Sequence, residues 1–425
     1  MRCWIITIGE PLPLPGNADR LLRSGIMAQM LHDRGHEVVW WTSTFDHTRK
    51  VHRFPRATTV EVHDRLTIRL LHGCSYNSNV SWSRFVNHRQ IGQAFARESE
   101  LSPRPDVILC SLPTLELAQA ASAYGRRHNV PTIIDVRDLW PDTIAELAPK
   151  WGQPLVRLLL SPLYRSASRA CKEAYAIIGC TPEYIEWGLR FAARPGGPLD
   201  REFPLGYPDS APDDESRRVA DAYWDSLGIG SNDDVLTVCF FGMFGRQMQL
   251  DSVVDAARVL YEERANVRFV LCGMGDDLDA IRNRARGLPN VILPGWVDAA
   301  KIWTLMQRGS VGLTPYRQST NMENNIPNKP IEYLAGGLPL VSSLTGVVRH
   351  LIAQEDCGMQ YREGDAAHLA SVLRGLEADR DGVRRMSANA RRVFENRFKA
   401  EHVYGKLATY LEQMMANPVA AQAVG

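Results

Sequence analysis

A mixed α/β fold of two doubly wound, parallel-sheet domains facing a cleft is what this 425-residue sequence predicts. Three observations carry that prediction. Short apolar runs alternate with longer helical patterns, which is the rhythm of βαβ units. The rhythm breaks once, between about Gly196 and Asn232, where PGGPLDREFPLGYPDSAPDDES is rich in Pro, Gly and Asp and has no apolar period. It then resumes, and the chain is in any case too long for one ordinary core.

In the first half the strand-like runs are WIITIG, HEVVWWTS, DVILCSL, PTIIDV and YAIIGCT, each followed by a helical pattern. In the second half they are VLTVCFFG, VRFVLCGMG, NVILPGW, VGLTPY and PLVSS, and after Gly358 the chain reads as mostly helical, ending in a frayed NPVAAQAVG tail. The boundaries that follow are a first domain over 1–205 and a second over 206–399, with a last helix at about 400–416.

Lys and Arg total 49 against 48 Asp and Glu, for a net charge of +1, so no global field attracts nucleic acid. The eight cysteines are scattered without CxxC or zinc-type spacing and read as reduced thiols of a cytoplasmic protein. MRCWIITIGEP has too short an apolar core for a signal peptide, and no window reaches the roughly 20 apolar residues that span a bilayer.

The most informative window is IPNKPIEYLAGGLPLV, Ile326 to Val341, which reads as loop, short helix, glycine stop and buried strand. Asn328 is expected to cap the helix, Pro330 to sit in its first turn and Gly336-Gly337 to end it. Free N–H groups at such a helix start, with Lys329 beside them, suit a diphosphate, and Glu332 one turn inside suits a ribose or sugar hydroxyl. An ordinary capped helix with Glu332 as a surface charge fits the same letters. Glycine-rich turns follow three strands: FFGMFGRQ with Gly242 and Gly245, CGMGDD with Gly273 and Gly275, and PGWV with Trp296 and Val297. Each is a common packing device, but all lie at strand ends of one domain, where doubly wound sheets bind ligands.

In the first half, IDVRDLWPD places Asp135, Arg137, Asp138 and Asp142 around Trp140 at a strand end. This is either a site or a local salt-bridge network with Asp142 as an N-cap. The loop Gly9 to Arg20, which includes Asn17, is long for a strand-to-helix connection. From Gln153 to Lys172, Leu155, Leu159, Leu163 and Ala167 share one helical face and Arg157, Arg165, Arg169 and Lys172 the other, with Pro162 kinking or splitting the helix. Such a helix either lies on an anionic bilayer or packs on its own sheet with a solvated basic face.

With those residues in place, the chain resembles glycosyltransferase family 4, retaining nucleotide-sugar enzymes of GT-B fold, over nearly its whole length. The landmarks are RGHEV, DVRDLWPD, FFGMFG, CGMGDD, NVILPGWV, VGLTPY and PNKPIEYLAGGLPLV. Within that family it is similar to bacterial enzymes of O-antigen, capsule or exopolysaccharide assembly. The resemblance implies two Rossmann-like domains, an acceptor side in the first and the donor in the second, with the last helix returning to the first. It also implies no metal or other cofactor, with a nucleotide sugar, a UDP-sugar in the first instance, as the substrate.

The family's two donor-site acids, eight positions apart, fall on Asn324 and Glu332, so the first is an amide here. Met243 stands at a usual Arg place and Gln247 or Met248 at a usual Lys place, leaving Arg246 and Lys329 to supply charge. The expected roles are therefore Lys329, Arg246 and the Asn328 helix end on the diphosphate, Glu332 on ribose, the Trp296 and Val297 backbone on the base, and Asp138 on the sugar or acceptor. Asn17, Arg137 and Trp140 are expected on the acceptor side. The implied function is a hexosyl- or N-acetylhexosaminyltransferase acting on a glycan or polyprenyl-diphosphate-linked sugar, at the cytoplasmic membrane face when the basic helix touches lipid. A nucleotide-sugar 2-epimerase and a non-catalytic subunit of a glycan assembly complex are the alternatives.

Overall fold

The structure, a computed structural model, describes residues 1–14, 20–78, 81–230 and 234–416. Asn17 and the NPVAAQAVG tail lie outside the described residues. The chain divides into two compact units, one holding Met1–Pro204 with the chain from Glu401, the other Leu205–Ala400.

The strands of the first unit are β1 (Arg2–Ile6), β2 (Glu37–Ser43), the small hairpin β3 (Phe45–Asp46) and β4 (Val51–His52), β5 (Thr58–His63), β6 (Leu66–Leu71), β7 (Val107–Leu112), β8 (Thr132–Val136) and β9 (Ala176–Gly179). Seven of them form one sheet in the order β5-β6-β2-β1-β7-β8-β9, parallel except for β5 against β6. Strands buried on both faces need continuous apolar runs, and VILCSL of β7 and TIIDV of β8 are buried at every position. On one face Trp4 packs edge-on against Trp41 and Phe95, with ring centroids 5.2 and 6.0 Å away. The order of connection reverses between β1 and β7, so the sheet has a switch point there.

The second unit holds β10 (Leu236–Met243), β11 (Val267–Met274), β12 (Val291–Gly295), β13 (Val311–Thr314), β14 (Leu340–Ser342) and β15 (Gly358–Gln360). Its all-parallel sheet runs β12-β11-β10-β13-β14-β15, with the reversal between β10 and β13. The two sheets thus have the same winding, and each unit is a doubly wound, Rossmann-like α/β domain.

Three details depart from the sequence reading. β5 and β6 add an antiparallel edge that the reading passed over, although the alternating half-buried and exposed residues of TTVEVH carry the period of two. Residues Asp214–Ser226, inside the stretch read as aperiodic, form a helix capped by Asp213 and anchored by buried Ala220 and Trp224. Beyond Gly358 a short strand, β15, precedes the helices. Of the two outcomes expected at Pro162 the structure takes the split: the segment Gln153 to Lys172 is two helices, Gln153–Leu159 and Ser161–Glu173.

The last helix, Ala400–Ala416, belongs to the first unit from Glu401 onward. Tyr410 donates to the Leu199 carbonyl at 2.7 Å, and Glu412 pairs with Arg34 and His36. Seven of the eight cysteines are buried and Cys74 is partly so, all as free thiols. No helix among the described residues is long and apolar enough to cross a membrane.

Candidate active site

Two groups of polar residues collect at the carboxyl ends of the sheets, one in each unit. In the second unit the helix Asn328–Ala335 opens next to the β10–β13 switch point. Its N-cap is Pro327 and no side chain caps it, so Asn328 is the first helical residue and not the cap. The reason is the local sequence: Pro327 at φ −68° already turns the chain into the helix. Because Pro327 and Pro330 carry no N–H, the first turn offers the N–H groups of Asn328 and Lys329. The helix stops at Gly337, whose φ of +70° suits glycine, and the Leu338 N–H closes on the Tyr333 carbonyl at 2.8 Å.

Lys329 is drawn inward. Its Nζ lies 5.9 Å from the Phe240 ring and 5.6 Å from the Tyr316 ring. Gly242 makes this possible: at φ +153° a Cβ there would run into the Lys329 side chain. Burial holds the Lys329 ammonium below its usual pKa, and the Glu332 charge partly restores it. Glu332 is itself buried at 7 % exposure and also pushes the Tyr316 hydroxyl upward, adding to burial. Lys329 makes no ion pair among the described residues, so this cation sits against aromatic faces beside one carboxylate.

The glycine turns are laced to the same end of the sheet. Phe244 N–H donates to the Met274 carbonyl at 2.8 Å and Asp277 N–H to the Phe244 carbonyl at 3.1 Å, joining the turns after β10 and β11. Gly275 allows this contact, since at φ +145° a Cβ would strike the Phe244 backbone. Gly273 is the register partner of Gly242, and Gly245 faces open space. Gln249 N–H to the Pro315 carbonyl and Arg317 N–H to the Gln247 carbonyl tie the first turn to the segment after β13.

Arg246 is exposed and unpaired among the described residues. Trp296 is 66 % exposed at the end of β12, while Val297 is buried. Asn324 is half-buried just after the helix Thr320–Glu323, and its neighbour Asn325 is buried with an unpartnered side-chain oxygen. The sequence reading missed Asn325, and it missed that register partners Met243 and Met274 are 62 % and 47 % exposed. Nothing local distinguishes Asn325 from Asn324; only the packing around them does.

In the first unit IDVRDLWPD divides in two. Asp135 is fully buried and held by Arg23 at 2.8 Å and Arg137 at 2.7 Å. Arg137 also pairs with Glu10 and donates to Ser24 Oγ at 3.1 Å, while Ser24 N–H donates to Glu10 at 2.9 Å. All three guanidinium nitrogens of Arg137 are thus engaged inside the unit, which makes it a support of the strand end instead of an acceptor contact. Asp142 is likewise not an N-cap: it is the first residue of the helix Asp142–Ala145 and accepts from Tyr164 Oη at 2.7 Å and Trp187 Nε1 at 2.8 Å.

Asp138 and Trp140 face a different set. Burial pushes the Asp138 carboxyl up to about 6 against the Leu139 N–H and the Arg84 charge, and its Oδ1 is buried without a partner. Arg84 stacks over the Trp140 ring at 4.5 Å and donates to His88 Nε2 at 3.3 Å. Beside them a cavity of about 160 Å³ is lined by Gly9, Ser43, His47, Tyr76, Arg84, His88 and Thr114 among others. It lies at the ends of β1, β2 and β7, the switch point of this sheet, where ligands bind such folds. The sequence reading missed these lining residues, although Arg84 and His88 stand one turn apart on the stripe that Ile91 and Phe95 continue into the core.

The pocket histidines are neutral. Burial, then the Arg84 and Lys50 charges, push His47 down to about 4, and burial with Arg84 pushes His88 down to about 3. The unfolded chain protonates both near 6.5, so each contributes stability that is present above that pH and lost as pH falls toward the folded value. Asp138 acts oppositely, adding stability as pH falls through about 6. Denaturant unfolding at pH 7 and pH 5 is therefore expected to show a loss of roughly 1–2 kcal/mol per histidine that is removed in His47→Gln/His88→Gln. An unchanged pH difference in that double variant would count against buried neutral imidazoles.

Residues 24–195 match the family described as Glycosyl transferase 4-like domain, and residues 236–379 that described as Glycosyl transferases group 1. Together these cover most of the chain, which belongs to the glycosyltransferases built from these two domains. Among curated relatives, the amylovoran biosynthesis glycosyltransferase AmsK of Erwinia amylovora is 28% identical over 170 residues, 39% of this chain and 42% of the relative. The chain thus matches less than half the length of that relative. Among solved structures, sucrose-phosphate synthase of Thermosynechococcus elongatus superposes with a TM-score of 0.73 at 15% identity, over 98% of this chain and 99% of the other. HepE of Anabaena, solved in complex with UDP-glucose, gives 0.64 at 14% identity, over 97% and 100%.

Proposed function

We propose that this protein is a retaining glycosyltransferase that moves a hexosyl or N-acetylhexosaminyl group from a UDP-sugar to a glycan or polyprenyl-diphosphate-linked sugar in bacterial surface polysaccharide assembly, on the cytoplasmic side of the membrane. The observation that carries it is the desolvated Lys329 beside Glu332 at the β10–β13 switch point. A relative named for amylovoran biosynthesis and a fold neighbour solved with UDP-glucose support the choice of substrates.

In this reading the bond between the sugar C1 and the diphosphate oxygen breaks while an acceptor hydroxyl oxygen bonds to C1 on the same face. The hydroxyl proton leaves to a diphosphate oxygen. Negative charge grows on the diphosphate as positive charge grows on the sugar ring. Lys329, Arg246 and the N–H groups of Asn328 and Lys329 meet that negative charge, and Glu332 accepts from ribose hydroxyls. Gly242, Gly245, Gly273 and Gly275 let backbone approach the donor, Trp296 and Val297 receive the base, and Asn324 offers an amide to the transferred sugar. Asp138, with Trp140 and the cavity beside them, receives the acceptor, its raised pKa leaving it able to accept or share a proton near neutrality.

Thermal unfolding against UDP-, GDP-, ADP-, dTDP- and CMP-sugars tests the donor half. At a ligand concentration of about 100 Kd, binding adds about 2.7 kcal/mol, a rise of roughly 5–10 °C for a unit of this size. UDP-sugars are expected to give that rise and Glu332→Ala to remove it. Equal shifts with every nucleotide, or a shift that survives Glu332→Ala, would sink the assignment.

A further inference from the structure

The helix Gln153–Leu159 has no buried residue. In the 13 residues that contain it, Leu147, Trp151, Leu155, Leu158 and Leu159 are 69, 86, 62, 69 and 70 % exposed. Of the four residues that the sequence put on one apolar face, only Leu163 and Ala167, both in the following helix Ser161–Glu173, pack inward. Leu155 and Leu159 point to solvent because the split beside Pro162 detaches their helix from the one that follows. Apolar side chains gathered this densely at a surface mark a contact with something apolar.

We propose that the segment from Leu147 to Leu159 inserts into the interfacial layer of an anionic lipid bilayer. Charge selects this occupant. From Leu147 to Lys172 the chain contains Lys150, Arg157, Arg165, Arg169 and Lys172 and no Asp or Glu. All five cations are exposed, and none forms an ion pair among the described residues. A second copy of the same patch would bring these cations face to face, whereas anionic headgroups neutralise them. Arg157, between Leu155 and Leu158, can lay its methylenes along the apolar layer and keep its guanidinium among phosphates. Trp151 suits the water–headgroup boundary. Stable interfacial binding takes an apolar insertion together with a basic patch, and both are present.

The surface deepens the lipid-linked-acceptor reading but involves no donor, so the two fail separately. It also shifts the anchor away from the Arg165 and Arg169 face toward the exposed leucines.

The test is co-sedimentation of the full chain with phosphatidylcholine vesicles and with phosphatidylcholine–phosphatidylglycerol vesicles, without any sugar nucleotide. Wild type is expected to bind the anionic vesicles preferentially. Leu155→Gln/Leu158→Gln/Leu159→Gln is expected to weaken that binding about tenfold or more at low salt, with its unfolding temperature unchanged because the side chains are already exposed. Arg165→Glu/Arg169→Glu is expected to weaken binding less and to lower its salt sensitivity, since fewer cations then meet the headgroups. Vesicle binding unaffected by the triple variant would overturn the proposal. So would absence of wild-type binding to the anionic vesicles, and a dimer in sedimentation velocity that the triple variant dissociates would then assign the patch to a second copy.

Discussion

Lys329→Ala is expected to lower the turnover of the proposed transfer by about 100- to 1,000-fold while leaving the unfolding temperature close to wild type. The size follows from where the charge sits. Preorganised groups aimed at developing negative charge in a water-poor site contribute roughly 3–4 kcal/mol each to the barrier. Lys329 is desolvated, lies against the Phe240 and Tyr316 rings and has Glu332 as its charged neighbour. Burial disfavours its charged form in the absence of an anion, so removing the ammonium costs the fold little.

A lysine kept for structure behaves differently, because its loss would lower stability and activity together. Lys329→Arg is expected to rescue only part of the rate: Gly242 leaves room for a narrow methylene stem, and the broader planar guanidinium does not fit the same path. Arg246→Ala is expected to have a smaller effect, since an exposed charge is screened by water. Turnover measured at saturating UDP-sugar, with thermal unfolding of each variant in parallel, checks the set. Wild-type turnover in Lys329→Ala would remove Lys329 from the chemistry.

Asp135→Ala is expected to destabilise the first unit by about 3–5 kcal/mol, the largest stability effect of any single substitution at these sites. Asp135 has no exposed surface, and it balances the Arg23 and Arg137 guanidinium groups. Without it Arg137 keeps only Glu10 as a carboxylate partner and buried Arg23 keeps only carbonyl acceptors. The network also joins distant segments. Arg23, first residue of the helix Arg23–Asp33, donates to the Phe203 and Pro204 carbonyls, each at 2.8 Å, so the end of β8, the first helix and the end of the first unit meet in one cluster.

The two arginines hold the Asp135 carboxyl below its ordinary pKa against the opposing effect of burial. Its contribution is therefore present above the unfolded carboxylate value near 3.9 and is lost as pH falls further. Urea unfolding at pH 7 measures the effect directly. A loss below about 1 kcal/mol would show that the network is solvated in solution.

The strand rhythm, the position of the break and the glycine turns were readable because they are local: a period of two or a buried run fixes a strand's faces, and a glycine marks a turn that other residues cannot make. Ile326 to Val341 was readable for the same reason, from the Pro-bounded helix start to the stop at Gly337. The details that were not readable each depend on a partner far away in the chain. Arg137 sits in a motif that suggests a site, and only Glu10 and Ser24, brought beside it by the fold, show that its donors are taken. His47 and Tyr76 come from segments distant from the helix that carries Arg84 and His88, and no spacing in the sequence announces that all four line one cavity.

The helix Gln153–Leu159 shows where the division falls. By itself the sequence determined that its leucines share a face and that the flanking charges are all positive, since side-chain direction follows from helical period and charge from composition. Only the tertiary structure decided that nothing in its own unit covers those leucines, and that Lys329 turns inward over Gly242. Burial and desolvation are set by what the rest of the chain places within a few ångströms, and that is a property of the folded arrangement that local pattern does not encode.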